Sequence, residues 1–491
     1  MVAFNQVPSN LREPFVAVEF NAANAQQGPA LLSYEAILIG QKTASGSQAP
    51  DTVVQCTSVQ QAIVLAGRGS MLHRMAIAWF ASNESTELWL GVLADAGGGV
   101  AATGTIVVAG PATSTGTIAL YLGGILVTVG VNSGDASTVI ATNIGAAINA
   151  ALDLPVTAGV TTSTVTLTFR HKGLVGNSYD VRAGFNGEVL PAGVTLTITA
   201  LGSVVAGTTN PPLTNLIAAM GDLWLQVWAH PYTDATSLTA IETELASRSG
   251  PMRQQQGLAI TSAFGSFSTL TALGMGRNSP NSTIVAQTGD TPLTPPMEFA
   301  AESAALAALY LAQDPARPLQ TLAYSNAIAT AETDQWAYSE RNLMLFSGIS
   351  TTKRVPGGVV QIGRFITTYE TSPSGAPDTS YLDVTTMFTL LYLRYDFVTR
   401  MQLKYPRHKL ADDGTKFGSG QAIMTPQLGK AEAVAWFEDM EELGLVEDVD
   451  TFKSNLVVAR NATDPNRLDY LLPPNLINQL IVTAAQIAFQ L

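Results

Sequence analysis

At 491 residues the chain is long enough for about three or four domains of roughly 100–200 residues each, and a hydrophobic content of 46% argues against disorder. Its 38 Asp+Glu against 25 Lys+Arg leave a net charge of −13, which speaks against nucleic acid or an anionic membrane as partner, because phosphate binding needs clustered Lys and Arg. The single cysteine, Cys56, excludes an internal disulfide, and the sequence shows neither an export signal nor an 18-residue apolar span.

In chain order, Pro14–Phe20 alternates Val16, Val18 and Phe20 on one side with Ala17 and Glu19 on the other, the period of a strand. Asn21–Pro29 reads as a flexible tether. A short strand over Ala36–Ile39, one helix over Ser58–Phe80 and a strand over Glu87–Leu93 open an α/β core. From about Val100 to Pro211 the composition turns to Thr, Val, Gly and Ala with seven charges. The β-branched runs Thr117–Leu122, Ile125–Val131, Val165–Phe169 and Val194–Thr199, around one helix at Ala136–Leu152, predict an inserted β-rich domain. The α/β pattern then resumes, with helices at Asn215–Asp222, Ser237–Ser247 and Pro296–Gln313 and strands at Trp224–Ala229 and Gly257–Ser262. Ser372–Pro377 reads as a hinge. Beyond it, the spacing predicts helices over Tyr381–Arg400 and Thr425–Leu443 and a strand over Phe452–Arg460. The chain ends on Ile487, Phe489 and Leu491, which share a strand face.

The predicted fold is therefore multidomain α/β (α+β). It has an arm and linker over 1–29, an α/β core over 30–99 and 212–377, and the β-rich insertion at 100–211. A C-terminal domain covers 378–479 and a C-terminal strand-forming arm 480–491. Only 13% of residues are charged, about half the share of about 25% in ordinary domains, so much of the surface is neutral, as on proteins that copies of themselves cover. The scarcity is uneven, deepest in the insertion, where Thr and Ser supply polarity without charge.

Chemistry is harder to find. His73, His171, His230 and His408 lie in no zinc-ligand spacing, and no phosphate-binding loop is present. Gly67-Arg-Gly-Ser70 reads as a helix-opening turn before it reads as an anion site. His230-Pro-Tyr-Thr-Asp234 is the most enzyme-like string, but with no nucleophile motif nearby the favoured reading is an Asx-type turn into the next helix. Asp412-Asp-Gly414 lacks the alternating ligands of a calcium loop and reads as a turn. Lys404, Arg407 and Lys409 form a basic loop, while Glu438, Glu441 and Glu442 belong to a strongly acidic helix end. A solvated face and a surface for tube or subunit contacts both fit these runs.

The chain resembles the tail sheath proteins of contractile, Mu-like bacteriophages nearly end to end. Phe4–Arg12, Leu31–Tyr34, Ile39-Gly-Gln41, Ala66–Ser70 and His230–Asp234 are similar to family words. The most specific are Tyr392-Leu-Arg394, Lys404–Gly414, Gly444–Glu447, Arg460-Asn461 and Asp464–Asp469. Pro14-Phe15 stands where the family pattern has Pro-Gly. The resemblance implies a non-enzymatic subunit that assembles as stacked hexameric rings around the tail tube and contracts on baseplate triggering, driving the tube through the host envelope. It implies no cofactor and no metal. The implied partners are copies of itself, the tail tube protein, and baseplate and tail terminator proteins, with no nucleic acid and no direct membrane insertion. Its implied place is the phage tail sheath of the virion, assembled in the host bacterial cytoplasm. It also implies that Val16, Val18 and Phe20 at one end, and Ile487, Phe489 and Leu491 at the other, add strands to neighbouring subunits. The C-terminal domain is then expected to face the tube and the insertion to point outward. A hydrolase-like enzyme using His230 and Asp234, or another virion structural protein, is the alternative.

Overall fold

A computed structural model describes residues 32–291 and 293–490. The expected N-terminal strand with Val16, Val18 and Phe20, the tether Asn21–Pro29 and the terminal Leu491 lie outside the described residues. Two compact units emerge: a larger one holding Ser33–Leu391 and the segment from Leu476 onward, and a smaller one holding Tyr392–Asn475.

Six parallel strands form the centre of the larger unit, in the order Ile349–Arg354, Ser282–Ala286, Leu258–Ala263, Val227–Ala229, Glu35–Gln41 and Glu87–Leu93. Val360–Arg364 and Thr52–Gln55 close the two sides antiparallel, giving eight strands. Strands covered on both faces favour apolar or small side chains, and Leu258–Ala263 and Ser282–Ala286 are buried at every position. Ile37 stands in register with Trp89 on one side and Trp228 on the other, and around Trp228 pack Leu216, Tyr232, Ile241 and Leu245. The helix Pro296–Gln313 is buried nearly all round, which its small alanines permit by letting backbones approach closely.

The expected single helix over Ser58–Phe80 is two helices, Val59–Ala66 and Met71–Phe80. Apolar spacing continues through the break, but the backbone does not, because Gly67 and Gly69 adopt φ of +90° and +72°. A Cβ at Gly69 would stand 2.7 Å from the Leu152 carbonyl oxygen, so only glycine fits. Ser70 then caps the second helix, its Oγ accepting the His73 N–H at 3.1 Å, as the turn reading anticipates.

The insertion contains a four-stranded antiparallel sheet, Thr195–Thr199, Ala101–Ala109, Thr164–Lys172 and Val156–Thr161, and a three-stranded one built on Gly116–Leu122 and Ile125–Val131. Its helix spans Ser137–Ala150. Register explains the neutral surface: Thr199, Thr105 and Thr166 align across three strands on one face, beside the row Thr197, Val107, Thr164 and Thr161. The opposite face buries Ile106, Val108, Val165, Leu167 and Phe169, and the helix buries Ile140, Ile144 and Ile148. Threonine satisfies both demands, since its branched Cβ suits the pleat and its hydroxyl suits water.

Polar contacts pin the insertion to the core. The Gln41 side-chain amide donates to Asp95 Oδ1 at 2.7 Å and to the Lys172 carbonyl at 2.8 Å, and His171 Nε2 accepts the Met71 N–H at 2.9 Å. The other imidazole nitrogen, Nδ1, lies 3.2 Å from Asp95 Oδ1.

Ser372–Pro377, the expected hinge, folds as a turn closed on itself. The Ser372 N–H donates to the Ala376 carbonyl and the Gly375 N–H to the Ser372 carbonyl. The boundary between the units falls later, inside the helix Val384–Lys404. Its first turns belong to the larger unit because Phe388 meets the Tyr34 ring at 5.6 Å and the Met387 carbonyl accepts from Gln256 Nε2 at 3.0 Å.

The smaller unit has Pro426–Glu442 as its central helix, capped by Thr425. Its Trp436 and Phe437 pack against Phe397 and Phe452, with Phe437 and Phe452 stacked at 4.1 Å. The expected strand over Phe452–Arg460 forms only as Val457–Arg460; residues Val449–Asn455 are helical. Asp448 is the cause, its carboxylate accepting the Thr451 N–H at 3.1 Å and so opening a helix where the apolar run read as strand.

Candidate assembly interface

The enzyme reading is tested at His230. It sits at the end of the strand Val227–Ala229, fully buried, and both ring nitrogens are without a hydrogen-bond partner among the described residues. Asp234 is occupied elsewhere: its Oδ1 accepts the Ser237 N–H at 3.0 Å as the cap of the helix Ala235–Ser249, and its Oδ2 accepts from Asn210 at 2.6 Å. No hydrogen bond joins His230 to Asp234, so the pair is not an acid–base couple, and the turn reading holds. No group of three or more His, Cys, Asp or Glu side chains able to hold a metal exists among the described residues.

Burial pushes the His230 imidazole down to about 4, and it does the same to His73, whose Nδ1 accepts the Gly69 N–H at 3.1 Å. A histidine held neutral in the fold but protonated near pH 6.5 when unfolded takes up a proton on unfolding. Stability is therefore full above about pH 6.5 and falls as pH drops toward 4, by up to about 1.4 kcal/mol per pH unit for each histidine. Urea unfolding between pH 7 and pH 4.5 is expected to show this slope, and His230→Phe to reduce it. An unchanged slope in that variant would assign the loss to other groups.

The charged cluster resolves into partners. Glu432, on the central helix of the smaller unit, receives Lys404 at 2.8 Å, Tyr405 Oη at 2.6 Å and the Arg400 guanidinium. Burial alone would raise its carboxyl, but these three donors hold it below the usual range. Lys409 donates to Gln421 and Lys453 pairs with Glu438, each at 2.8 Å. Lys404, Lys409 and Glu438 thus already have internal partners. Arg407 and Glu442 are exposed and make no ion pair among the described residues, and Glu441 is half-buried.

Two of the most specific sequence words, Arg460-Asn461 and Asp464–Asp469, lie on one hairpin, and Lys404–Gly414 reaches it through Asp412. Val457–Arg460 pairs antiparallel with Leu468–Leu471, setting Val457 opposite Leu471 and Arg460 opposite Leu468. Asn461 builds the connecting turn, its Oδ1 accepting from the Thr463 and Asp464 N–H groups at 2.9 Å each. Arg460 reaches back to Asp412 at 3.2 Å, and Asp413 Oδ1 accepts the Gln427 N–H at 2.9 Å, tying the Asp-Asp-Gly turn to the hairpin and the central helix. On the inner side Tyr470 meets Phe397 at 5.5 Å, and Gly429 lies under its ring, where a Cβ would come 2.6 Å from the hydroxyl. The hairpin forms a two-stranded sheet by itself, so both of its outer edges lack a strand partner among the described residues. Val457 and Leu471 stand exposed at 53% and 61%.

The expected C-terminal strand is not formed among the described residues. Residues 477–490 have no regular secondary structure, and Val482, Ile487 and Phe489 are exposed at 75%, 88% and 78%. A two-stranded sheet with open edges and an apolar alternating segment without a sheet therefore occur in one molecule.

Residues 206–368 match the phage tail sheath protein central domain, and residues 376–490 match the phage tail sheath C-terminal domain. The Mu-like prophage FluMu tail sheath protein of Haemophilus influenzae is 38% identical over 489 residues, covering 99% of both chains. The sheath tail protein of Desulfitobacterium hafniense is similar in structure, with a TM-score of 0.48 and 12% identity over 94% of this chain and 100% of that one. The contracted helical sheath of the anti-feeding prophage gives 0.49 and 10% identity over 99% of both. On the two domain matches and the full-length relative, the chain belongs to the phage tail sheath protein family.

Proposed function

We propose that the chain is the structural subunit of a contractile phage tail sheath, polymerising as stacked hexameric rings around a tail tube, and that its hairpin Val457–Arg460/Leu468–Leu471 accepts the arm strands of neighbouring copies. The observation that carries this reading is the coexistence of open hairpin edges with a C-terminal segment whose Ile487 and Phe489 find no cover in their own fold. Strand addition uses both: backbone bonds supply affinity and alternate side chains fill pockets. Open edges normally invite uncontrolled aggregation, and here ordered polymerisation is their use. The N-terminal Val16, Val18 and Phe20 carry the same alternation and serve the same purpose.

The role is structural, not enzymatic, and requires no cofactor. The extended sheath is metastable, and contraction on baseplate triggering gains intersubunit contacts and drives the tube through the host envelope, so energy is stored during assembly. The smaller unit faces the tube, with Arg407, Glu441 and Glu442 among its contacts, and the threonine-rich insertion points outward. Further partners are the tail tube, baseplate and tail terminator proteins. The subunit assembles in the host bacterial cytoplasm and resides in the virion tail. Purified full-length protein is expected to sediment as tubes visible by electron microscopy. A chain that stays monomeric at high concentration would remove the reading.

A further inference from the structure

We infer that Gln479–Ile481 form a clamp that stays closed on the chain's own larger unit and sets the point from which the C-terminal arm is launched. The inference rests on the strand-exchange reading above. After Asn475 the chain leaves the smaller unit, and Leu476 onward belongs to the larger one. There the segment lies in a narrow groove: Gln479 and Ile481 line it together with Pro318, Leu319, Gln320 and Phe365. Both side chains are half-buried while Asn478, Leu480 and Val482 are exposed, the two-residue period of an extended strand lying on a surface. Gln320 Nε2 donates to the Leu480 carbonyl at 3.2 Å, fixing the backbone between the two inserted side chains.

The groove is rigid. Leu319 and Phe365 are each 4% exposed, and Arg364, which also lines it, is held by Asp383 through two bonds of 3.0 Å. Arg364 ends the outermost strand Val360–Arg364, and the Thr321 N–H donates to the Ile362 carbonyl of that strand at 2.9 Å, so the walls are anchored to the main sheet. The alternation stops where the clamp ends: every residue from 482 to 490 is exposed.

The clamp divides the tail into a fixed root and a free pairing strand. Residues 482–491 reach at most about 34 Å when extended, whereas a tail free from residue 477 would reach about 50 Å. A shorter tether raises the arm's effective concentration at the nearest acceptor, by about twofold from length alone if concentration falls as the −3/2 power. It also fixes direction, which selects the same neighbour at every position of the polymer.

Two variants of the full chain test this. Leu319→Cys with Ile481→Cys, oxidised before assembly, is expected to form an intrachain disulfide and still produce tubes. Failure to oxidise in the protomer, interchain cross-links within tubes, or loss of tubes only in the oxidised form would each overturn the inference, because each means that the root lies elsewhere or must leave. Gln320→Ala with Ile481→Asp, residues 482–491 untouched, is expected to raise the critical concentration for tube formation at least twofold while tubes still form; an unchanged value overturns it. Removing residues 482–491 tests strand exchange itself, so normal tubes from that truncation would point to the parent reading and not to the clamp.

Discussion

Removal of residues 482–491 is expected to leave a folded protomer that no longer forms long tubes, and removal of residues 1–20 to have the same effect. In the protomer the tail costs the fold little to lose, since Val482, Ile487 and Phe489 are almost fully exposed and exposed side chains away from special features contribute within about 0.5 kcal/mol. In the polymer the same side chains would be buried. Covering Ile487 and Phe489 contributes about 1.5–3 kcal/mol each, so Ile487→Asp with Phe489→Asp removes at least about 3 kcal/mol from each contact, more than a hundredfold in its association constant. The loss repeats at every subunit, which turns a modest change in one contact into failure of the assembly. Sedimentation and electron microscopy of the truncated proteins read the outcome, with circular dichroism establishing that the protomer folds. Intact long tubes from either truncation would sink the arm mechanism.

Much of this fold is legible in the sequence where one period dominates. Glu87–Leu93, Ile125–Val131 and Pro296–Gln313 appear at the expected bounds because no residue within them redirects the backbone. The differences share a cause: apolar spacing continues across a point where a single residue redirects the backbone. Gly67 and Gly69 do this between two helices, and Asp448 does it ahead of Val449–Asn455. The acidic run around Asp448 holds the missing signal, since Asp is a favoured N-cap and Asp450 adds negative charge in the first turn. Ala101–Ala109 is absent from the sequence reading because its alanines and Gly104 carry weak strand preference, and pairing with Thr164–Lys172 decides its conformation.

The interface was legible in its ends and opaque in its middle. Alternation marks Ile487 and Phe489 as strand-like although they have no strand partner among the described residues. The basic and acidic runs suggested an outward-looking pair of surfaces, yet Glu432 collects Arg400, Lys404 and Tyr405 within the smaller unit. Sequence spacing cannot separate these cases, because an ion pair between helices 28 residues apart depends on how the helices cross.

The second large effect is expected in the core of the larger unit. Arg74, on the helix Met71–Phe80, meets Glu298, in the first turn of Pro296–Gln313, through two bonds of 2.9 and 2.7 Å, with side chains only 7% and 3% exposed. Burial opposes the guanidinium charge, but Glu298 outweighs it and keeps the group firmly protonated. Glu298 also sits at a helix N-terminus, where negative charge is favoured. Replacing one partner leaves the other charged in a place water cannot reach, so Glu298→Ala or Arg74→Met is expected to cost about 3–5 kcal/mol. Replacing both, as Arg74→Met with Glu298→Leu, removes the buried charges together, and the double variant is expected to recover to within about 2 kcal/mol of the parent. Urea unfolding resolves the cycle best in the protein lacking residues 482–491, where assembly adds nothing to apparent stability. Strong non-additivity is the predicted signature. If the two single losses simply add in the double variant, the pair is not what joins these helices, and packing of Met71–Phe80 against the alanine-rich helix must carry the junction alone.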